Sequence, residues 1–401
     1  MGSETIRILS AMRPNGRLHL GHLWGALQQW RKAQYEYECF FMLADVHGLI
    51  KNHSSELNTE QIINEMVIDW LATGVDPSQA TIFIQSKIPE HFELASLLGV
   101  ITPIGWLERV PSYKDQIDEL DHTEASTYGL LGASLLQSAD ILTYNAKLVI
   151  TSEEQTANLE LTREIARRFN HIFGRDEGFE NKAFESIKKL GSKKAAIYET
   201  LLIKYQQDGD DEALEKARYL LQDALNLANG DRERLLAFLE NKGKVYLQEP
   251  QILAESPPII VGLDGLPMSI SAENTINLRE DTATITTKIR GMKTDPARIR
   301  RTDAGKPDNC PVWKLHQIYS DKDVCDWAEM GCLSAGIGCL DCKQPLIEAI
   351  DKEQKILIEN AKPYQEDQTL VKRIISDGCN RAREIAADNL KLIKQAMNID
   401  Y

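Results

Sequence analysis

Three short apolar runs near the start of the chain predict buried strands. They cover residues 6–10, 39–44 and 81–85 and are rich in Ile, Phe and Leu. Between them, apolar side chains recur at helical spacing, first from Leu23 to Trp30 and then from Ile62 to Leu71. Such alternation is typical of a parallel sheet with right-handed crossovers. The pattern predicts an α/β domain that binds its ligands beyond the carboxyl ends of the strands.

Beyond this region the apolar positions mostly follow helical spacing. Residues 93–170 are helical in pattern, apart from a strand-like run at 147–150. Residues 175–247 contain no proline and are rich in Lys, Glu, Ala and Leu, so we interpret them as an inserted helical module. We expect a Rossmann-type catalytic domain at 1–174, a helical insertion at 175–248, a return to the catalytic domain at 249–281 and an all-α domain at 282–401.

The stretch from Met12 to Ala26 joins the first predicted strand to the first helical pattern. Gly16 predicts a turn, and Gly21 leaves room at the start of the helix. His19 and His22 are three positions apart, so they share one face of a helix. Free N–H groups and the helix dipole attract anions at a helix N-terminus. The stretch therefore predicts a phosphate site to which both imidazoles donate.

Composition places the chain among ordinary globular proteins. It has 401 residues, of which 43% are hydrophobic and 26% are charged. No apolar run reaches the roughly 20 residues that a membrane span needs, and the start of the chain lacks a secretory pattern. We therefore expect a cytoplasmic protein with no membrane contact.

The net charge of −14 argues against nucleic-acid binding driven by total charge. A local basic run remains a candidate nucleic-acid surface, although it equally fits a solvated surface. The run consists of Lys288, Arg290, Lys293, Arg298, Arg300 and Arg301.

Several motifs carry a resemblance to a known family. Residues 16–22, Gly-Arg-Leu-His-Leu-Gly-His, look like the HIGH signature of class I aminoacyl-tRNA synthetases. Residues 267–271, Pro-Met-Ser-Ile-Ser, stand where that family has its KMSKS loop. Together the motifs resemble the tryptophan-specific members over about residues 6–174 and 249–401. The matches to those members are residues 139–142, 154–155, 160–164, 168–170, 262–265 and 331–343.

The resemblance implies a ligase that activates tryptophan with ATP and Mg²⁺ and transfers it from the adenylate to tRNA. It implies that His19 and His22 stabilise charge on the α-phosphate, with Lys114 near the phosphates. It also implies a homodimer whose contacts lie in the helices after residue 90. The ATP contacts expected from the resemblance are Arg13, Gly21, His19, His22, Gly262, Asp264, Met268 and Ser269.

The same resemblance implies an amino-acid pocket around Asp140, which would accept the indole N–H. An indole presents one donor and no acceptor, so a buried acceptor rejects analogues that lack the donor. The alternative for Asp140 is a charge on a helix surface. Gln155 would read the head group and His47 would line the pocket, together with Gln137 and Ala133.

The sequence departs from the family pattern at both halves of this expected site. Pro267 and Ile270 replace the loop lysines that normally hold the outer phosphates, and Ala133 replaces an aromatic pocket wall. Three hypotheses therefore stand: a working tryptophan–tRNA ligase, a paralogue with another amino acid or acceptor, and a ligand- or tRNA-binding protein without catalysis. Compensation for the lost charge could come from Lys288, Arg290 or Lys293.

Four cysteines form a compact motif near the C-terminal third of the chain. They are Cys310, Cys332, Cys339 and Cys342, with Cys325 as an alternative to Cys310. Disulfides are not expected in the cytoplasm. The thiol spacing fits zinc, a [4Fe–4S] cluster or bare thiols, and the family resemblance favours the [4Fe–4S] cluster.

Overall fold

The computed structural model of the protein describes residues 6–51, 59–119, 127–174, 178–240, 245–253 and 258–401. Residues 1–5, on which the expectation of a cytoplasmic location partly depends, lie outside these ranges. The chain forms two compact units. The sheet unit comprises Met1–Ile88, Leu148–Glu154 and Ile252–Ala382, and the helical unit comprises Pro89–Lys147, Gln155–Gln251 and Arg383–Tyr401.

A five-stranded sheet has the order β3-β2-β1-β4-β5. Its pairings of β1 with β2, β1 with β4 and β2 with β3 are parallel, with Ile8 opposite both Cys39 and Leu148. The predicted parallel sheet is thus confirmed, with strand ends shifted by one or two residues. The strands are β1 Arg7–Met12, β2 Glu38–Leu43, β3 Ala80–Ile84, β4 Leu148–Val149 and β5 Gln251–Ile252.

Helices make up most of the remaining described chain. The first group is α1 Leu20–His22, a π-helical turn Leu23–Leu27, α2 Gln28–Ala33, α3 Asp45–Lys51, α4 Thr59–Ala72, α5 Pro89–Gly99, α6 Ile104–Leu107, α7 Pro111–Glu119, α8 Tyr128–Thr143 and α9 Thr156–Phe173. The second group is α10 Phe179–Lys189, α11 Ser192–Asp208, α12 Asp211–Gln222, α13 Asn229–Leu239, α14 Thr282–Gly291, α15 Pro311–Tyr319, α16 Lys322–Leu333, α17 Cys339–Glu366 and α18 Gln368–Ala396. Single 3₁₀ turns are Gln85–Lys87, Glu153–Gln155 and Pro307–Asn309.

The core of the sheet unit is built on the apolar runs that predicted its strands. Trp30, from the first helical stripe, stacks on Phe41 of β2 with ring centroids 4.1 Å apart. Trp70 of α4 contacts the Trp30 ring edge-on, with centroids 4.8 Å apart. Helix α18 crosses β3 so closely that a Cβ added to Gly378 would lie 1.8 Å from the Ile82 carbonyl oxygen. These contacts pack the first helical stripe, α4 and α18 against the middle of β2 and β3.

The helical unit has two apolar clusters of its own. One joins α5, α8 and α9 through residues such as Leu94, Leu135 and Phe169. The other joins α10 to α13 around the buried Tyr198, whose hydroxyl donates to the Leu235 carbonyl at 2.6 Å. The helical character predicted for 175–247 is confirmed over the described residues 178–240, whereas 245–247 lie outside any helix and the fourfold domain division stays a prediction. Among the helices in the described ranges, none is both long and apolar enough to cross a membrane.

Candidate active-site residues

The signature turn follows β1 and leads into α1, as the sequence predicts. His19 is the N-cap of α1, where its Nδ1 accepts from the Gly21 N–H at 3.1 Å. The His19 N–H in turn donates to His22 Nδ1 at 3.2 Å, and the two ring centroids are 4.0 Å apart. Because both Nδ1 atoms accept, each neutral ring carries its proton on Nε2. The turn therefore presents two Nε2–H donors.

Burial keeps both of these rings uncharged. It lowers the pKa of His19 to about 3, with the neighbouring His22 adding to the effect, and lowers the pKa of His22 to about 4. Both imidazoles are consequently neutral near pH 7. They can act on an anion as fixed hydrogen-bond donors rather than as cations.

The loop at 267–271 is held by one buried side chain, Asn274, which is 3% exposed. Its Oδ1 accepts from the Ser269 N–H at 2.8 Å, and its Nδ2 donates to Asp264 Oδ1 at 2.8 Å and to the Pro267 carbonyl at 3.1 Å. The hydrogen bond from Asn274, followed by the one from the Leu266 N–H, lowers the pKa of Asp264. Asn274 thus ties the 262–265 turn to the loop.

The loop and the signature turn lie together within the sheet unit. The Leu20 N–H donates to the Ile276 carbonyl at 3.0 Å. A Cβ added to Gly16 would lie 3.5 Å from Ile270, and one added to Gly21 would lie 3.6 Å from the Cβ of Met268. The structure therefore brings the two predicted ATP segments side by side. In this arrangement Ile270 presents a methyl-bearing side chain where the family pattern has an ammonium group.

Two further predicted residues lie near this end of the sheet. Arg13 directly follows β1 and is exposed, and His47 lies half-buried on α3, which follows β2. A Cβ added to Gly48 would lie 3.4 Å from Pro14 Cδ, so α3 borders the signature turn. Their predicted contacts with ATP and amino acid stay predictions.

Of the three cations considered as replacements for the loop lysines, Lys288 is already engaged. It forms an ion pair with Glu280 and donates to the Thr275 carbonyl at 2.9 Å. Arg290 and Lys293 are exposed. The Lys293 N–H donates to the Leu263 carbonyl at 3.0 Å, which places this residue beside the 262–265 turn.

In the helical unit, Asp140 is buried on α8 and only 1% exposed, so the alternative of a helix-surface charge is wrong. Its Oδ1 lies 2.6 Å from Nδ1 of His91, and Nε2 of the same ring lies 2.7 Å from the Tyr144 hydroxyl. His91 and Tyr144 are each 0% exposed. This chain of hydrogen bonds was not predicted, because His91 and Asp140 are 49 positions apart.

Gln155 is also held by neighbouring side chains. Its Oε1 accepts from Gln137 Nε2 at 3.1 Å and from Asn158 Nδ2 at 2.7 Å, and Asn158 Oδ1 accepts from Ser134 Oγ at 3.0 Å. The predicted neighbours Gln137 and Gln155 are thus in contact, while the role of Asn158 was missed. Ala133 lies one turn before Gln137 on α8 and shares its face. Lys114 is exposed on α7, and its phosphate role stays a prediction.

The four motif cysteines are electrostatic neighbours in the sheet unit. Burial, followed by the nearby Cys310, Cys332 and Cys339, raises the pKa of Cys342 to about 12. Cys325 takes no part in this group, since its thiol points to the carbonyls of His316 and Ser320. Within the described residues, however, no three His, Cys, Asp or Glu side chains are arranged to hold a metal ion. The thiols are gathered but not set in a ligand geometry.

The surroundings of these thiols suit an anionic group. Arg298 directs Nη1 at Cys332 Sγ from 3.9 Å, and its buried Nε has no hydrogen-bond partner. A buried donor without a partner costs roughly 1–3 kcal/mol, which a negatively charged cluster of thiolates would offset. The four thiols and this cation thus supply the donor chemistry of a thiolate-ligated group, but not its ligand geometry. The Arg298 side chain is therefore not part of an exposed basic surface, contrary to what the basic run predicted. The exposed residues of that run are Arg290, Lys293, Arg300 and Arg301.

Comparison with known proteins agrees with the family resemblance seen in the sequence. The model of the family "tRNA synthetases class I (W and Y)" matches residues 1–197 and 232–354. The chain therefore belongs to the class I tRNA synthetases for tryptophan and tyrosine. A tryptophan–tRNA ligase from Ralstonia nicotianae is 52% identical over 395 residues, which cover 98% of this chain and 99% of that protein. One from Thermotoga maritima is 36% identical over 99% of this chain and 100% of its own length. Within the class, the family is that of the tryptophanyl-tRNA synthetases.

Solved structures show the same fold. The tryptophanyl-tRNA synthetase of Campylobacter jejuni, complexed with ADP and tryptophan, aligns with a TM-score of 0.70 at 22% identity. The alignment covers 98% of this chain and 100% of that one. The predicted Rossmann-type sheet with a C-terminal helical region is thereby confirmed.

Proposed function

We propose that this chain is a tryptophan–tRNA ligase, which joins tryptophan to ATP as an adenylate and then passes it to tRNA. The observation that carries the proposal is the 52% identity, over nearly the whole of both chains, to a protein named tryptophan–tRNA ligase. Neither alternative, a paralogue with another substrate or a binding protein without catalysis, has a comparable observation behind it.

In the first step, a carboxylate oxygen of tryptophan attacks the α-phosphorus of ATP. A new O–P bond forms, and the bond to the bridging oxygen breaks as pyrophosphate leaves with the electron pair. The Nε2–H groups of His19 and His22 would donate to the α-phosphate oxygens as charge builds on them. Since these donors are neutral and held by the backbone of the turn, they are oriented before ATP arrives. ATP would arrive with Mg²⁺, which offsets the phosphate charge.

Selection of tryptophan would fall to the helical unit. Asp140 is a buried acceptor that suits the single N–H of an indole, and Gln155 is oriented by two amide donors to meet the polar head group. A buried acceptor left without its donor costs roughly 1–3 kcal/mol, which penalises analogues lacking the N–H.

Pyrophosphate exchange with a panel of amino acids tests the proposal. We expect ATP to be labelled only when tryptophan is present, and tRNA to be charged with tryptophan in a second assay. Asp140→Asn should weaken the exchange with tryptophan by at least tenfold. Exchange driven by another amino acid would establish the paralogue, and tight binding of ATP and tryptophan with no exchange would establish the binding protein.

We further propose that Cys310, Cys332, Cys339 and Cys342 hold a [4Fe–4S] cluster. The mutual proximity of the thiols and the unpartnered Nε of Arg298 support the proposal. Iron and sulfide analysis of protein purified without oxygen would test it. Cys342→Ser should lose both elements, whereas the matched Cys325→Ser should keep them. If both the wild type and Cys325→Ser lack iron, the cluster is refuted. Zinc found in place of iron would show that these cysteines bind zinc.

The remaining parts of the proposal concern the domains and the assembly. Residues 282–401 would form the helical domain that contacts tRNA, with the insertion at 175–248 attached to the catalytic domain at 1–174 and 249–281. A homodimer through the helices after residue 90 is supported by the exposed apolar side chains of Val100 and Ile104. A cytoplasmic location is also part of the proposal, and it is supported by the seven cysteines, which all lie in the described part of the chain and form no disulfide there. Light scattering of the purified chain would measure the assembly.

A further inference from the structure

Three polar side chains form a buried line in the helical unit. The Tyr144 hydroxyl lies 2.7 Å from His91 Nε2, and His91 Nδ1 lies 2.6 Å from Asp140 Oδ1. All three residues are at most 1% exposed. The imidazole thus lies between a hydroxyl and the carboxylate expected to read the substrate.

With Asp140 ionised and His91 neutral, the direction of both hydrogen bonds follows from the donors and acceptors that each group has. An ionised carboxylate can only accept, so Nδ1 of His91 carries a proton and donates to Asp140. In the neutral ring Nε2 then accepts, and the Tyr144 hydroxyl donates to it. The carboxylate therefore selects this tautomer of His91, and the Tyr144 hydroxyl satisfies the other ring nitrogen. Replacing the ring by an apolar group would remove both hydrogen bonds, the one to Asp140 and the one to Tyr144.

The backbone keeps this line rigid. His91 lies on α5 and Asp140 on α8, and Tyr144 is the residue that follows the last turn of α8, four positions after Asp140. The two helices pack through Leu94 and Leu98 of α5 against Leu135 of α8. The rings of His91 and Tyr144 meet edge-on, with centroids 5.3 Å apart. The imidazole consequently has little freedom to leave the carboxylate.

We propose that His91 is the positioning residue for tryptophan selectivity. It holds Asp140 in one rotamer, so that the carboxylate is directed at the indole N–H. The inference rests on the proposed function, because it requires Asp140 to read the indole. Without His91, the buried carboxylate would lose this hydrogen-bond donor and turn toward another one.

The test compares tryptophan with its benzothiophene analogue, in which sulfur replaces the indole N–H. Pyrophosphate exchange gives kcat and KM for both compounds with the wild type, His91→Leu, His91→Asn and Tyr144→Phe. We expect His91→Leu to raise the KM for tryptophan about tenfold or more and to leave the KM of the analogue nearly unchanged. His91→Asn retains an N–H near the Nδ1 position and should recover most of the discrimination.

Tyr144→Phe separates positioning from packing. It removes a buried hydroxyl beside the ring but leaves the donor to Asp140, so we expect it to lower the unfolding midpoint while discrimination stays within about threefold of the wild type. Should His91→Leu fail to fold, His91→Gln would take its place, because it fills the site without a donor at the Nδ1 position. Equal loss of activity toward tryptophan and the analogue in His91→Leu, or in His91→Gln if it is used instead, would overturn the inference.

The outcomes also separate this inference from the proposed function. If the wild type does not activate tryptophan, or if Asp140→Asn discriminates as well as the wild type, the proposed function or its pocket fails and the inference falls with it. If the wild type activates tryptophan and Asp140→Asn loses discrimination while His91→Leu keeps it, the function stands and only the role of His91 is refuted.

Discussion

The Ile270 side chain lies against the turn at Gly16, where a Cβ added to the glycine would sit 3.5 Å from Ile270 Cδ1. This contact joins the loop at 267–271 to the signature turn by apolar packing. In the family pattern a lysine stands at this place and reaches for phosphate. The loop of this chain is therefore held by Ile270 and by Asn274 without the charge that would act on the leaving pyrophosphate.

Restoring both loop lysines should raise the rate of pyrophosphate exchange. In the Pro267→Lys, Ile270→Lys double variant, each new ammonium could make a charged hydrogen bond to phosphate worth roughly 1–3 kcal/mol in the transition state. We expect kcat to rise by about tenfold, since some packing on Gly16 is lost. The matched variant Pro267→Gln, Ile270→Met changes the same positions without charge and should show no gain.

A rate equal to the wild type in the lysine variant would mean that another cation already supplies the charge. Lys293, exposed beside the 262–265 turn, would be that cation, because Lys288 is paired with Glu280. Lys293→Gln would then slow the exchange.

Gly262→Ala should disable the loop through a steric clash. The added Cβ would lie 2.4 Å from Asn274 Cγ and 2.7 Å from the Asn274 carbonyl oxygen, so the residue that holds the loop must move. We expect kcat/KM in pyrophosphate exchange to fall tenfold or more and the free energy of unfolding to fall by about 1–3 kcal/mol. The matched control is Gly291→Ala, whose Cβ meets nothing within 4 Å. Wild-type kinetics in Gly262→Ala would contradict the role given to Asn274.

The sequence predicted those parts of the molecule that depend on local pattern. The strands β1, β2 and β3 were found because fully buried parallel strands are continuous apolar runs. The turn at His19 and His22 was found because its glycines and histidines occur at short spacing. The two-residue strand β5 carries too few side chains for any periodicity, and it was not predicted.

The rest of the candidate site depends on contacts between distant segments. Asn274 was noted as part of a motif, yet its hydrogen bonds with Asp264 and Ser269 are visible only in the structure. The same holds for His91, which meets Asp140 across 49 positions, and for Arg298, which predicted a basic surface but turns toward Cys332. Side-chain tautomers, such as those of the two signature histidines, follow from backbone geometry and so cannot be derived from residue types.

The free energy of unfolding should depend on pH through His22. Its pKa is about 4 in the folded chain because of burial, against 6.5 for the free side chain. Above 6.5 the ring is neutral in both states and stability is complete. As the pH falls toward 4, the unfolded chain takes up a proton that the folded chain does not, and stability falls by roughly 1 kcal/mol per pH unit.

Urea unfolding of the wild type and of His22→Gln between pH 7.5 and pH 4.5, about three units apart, would measure this dependence. Titrating groups that do not contact His22 cancel in the difference between the two proteins, whereas His19 keeps its burial and loses only the smaller effect of His22 on its pKa. We expect the stability advantage of the wild type to shrink as the pH falls below 6.5. Parallel curves would show that His22 is not held neutral by burial.

Tyr319→Phe should destabilise the sheet unit by breaking a buried bridge between its segments. The Tyr319 hydroxyl accepts from Trp24 Nε1 at 2.7 Å and donates to Glu353 Oε2 at 3.0 Å, which connects the π-helical turn after the signature to α15 and α17. Burial raises the pKa of Glu353, so its carboxylate already carries a desolvation cost that the hydroxyl offsets. Removing the hydroxyl leaves a donor and an acceptor unmatched, and we expect the free energy of unfolding measured in urea to fall by about 1–3 kcal/mol.

The matched control is Tyr35→Phe, at a ring that is 69% exposed, which should change stability little. A double-mutant cycle with Trp24→Phe should give a coupling energy of about 1 kcal/mol, whereas strictly additive losses would show that the two rings only pack.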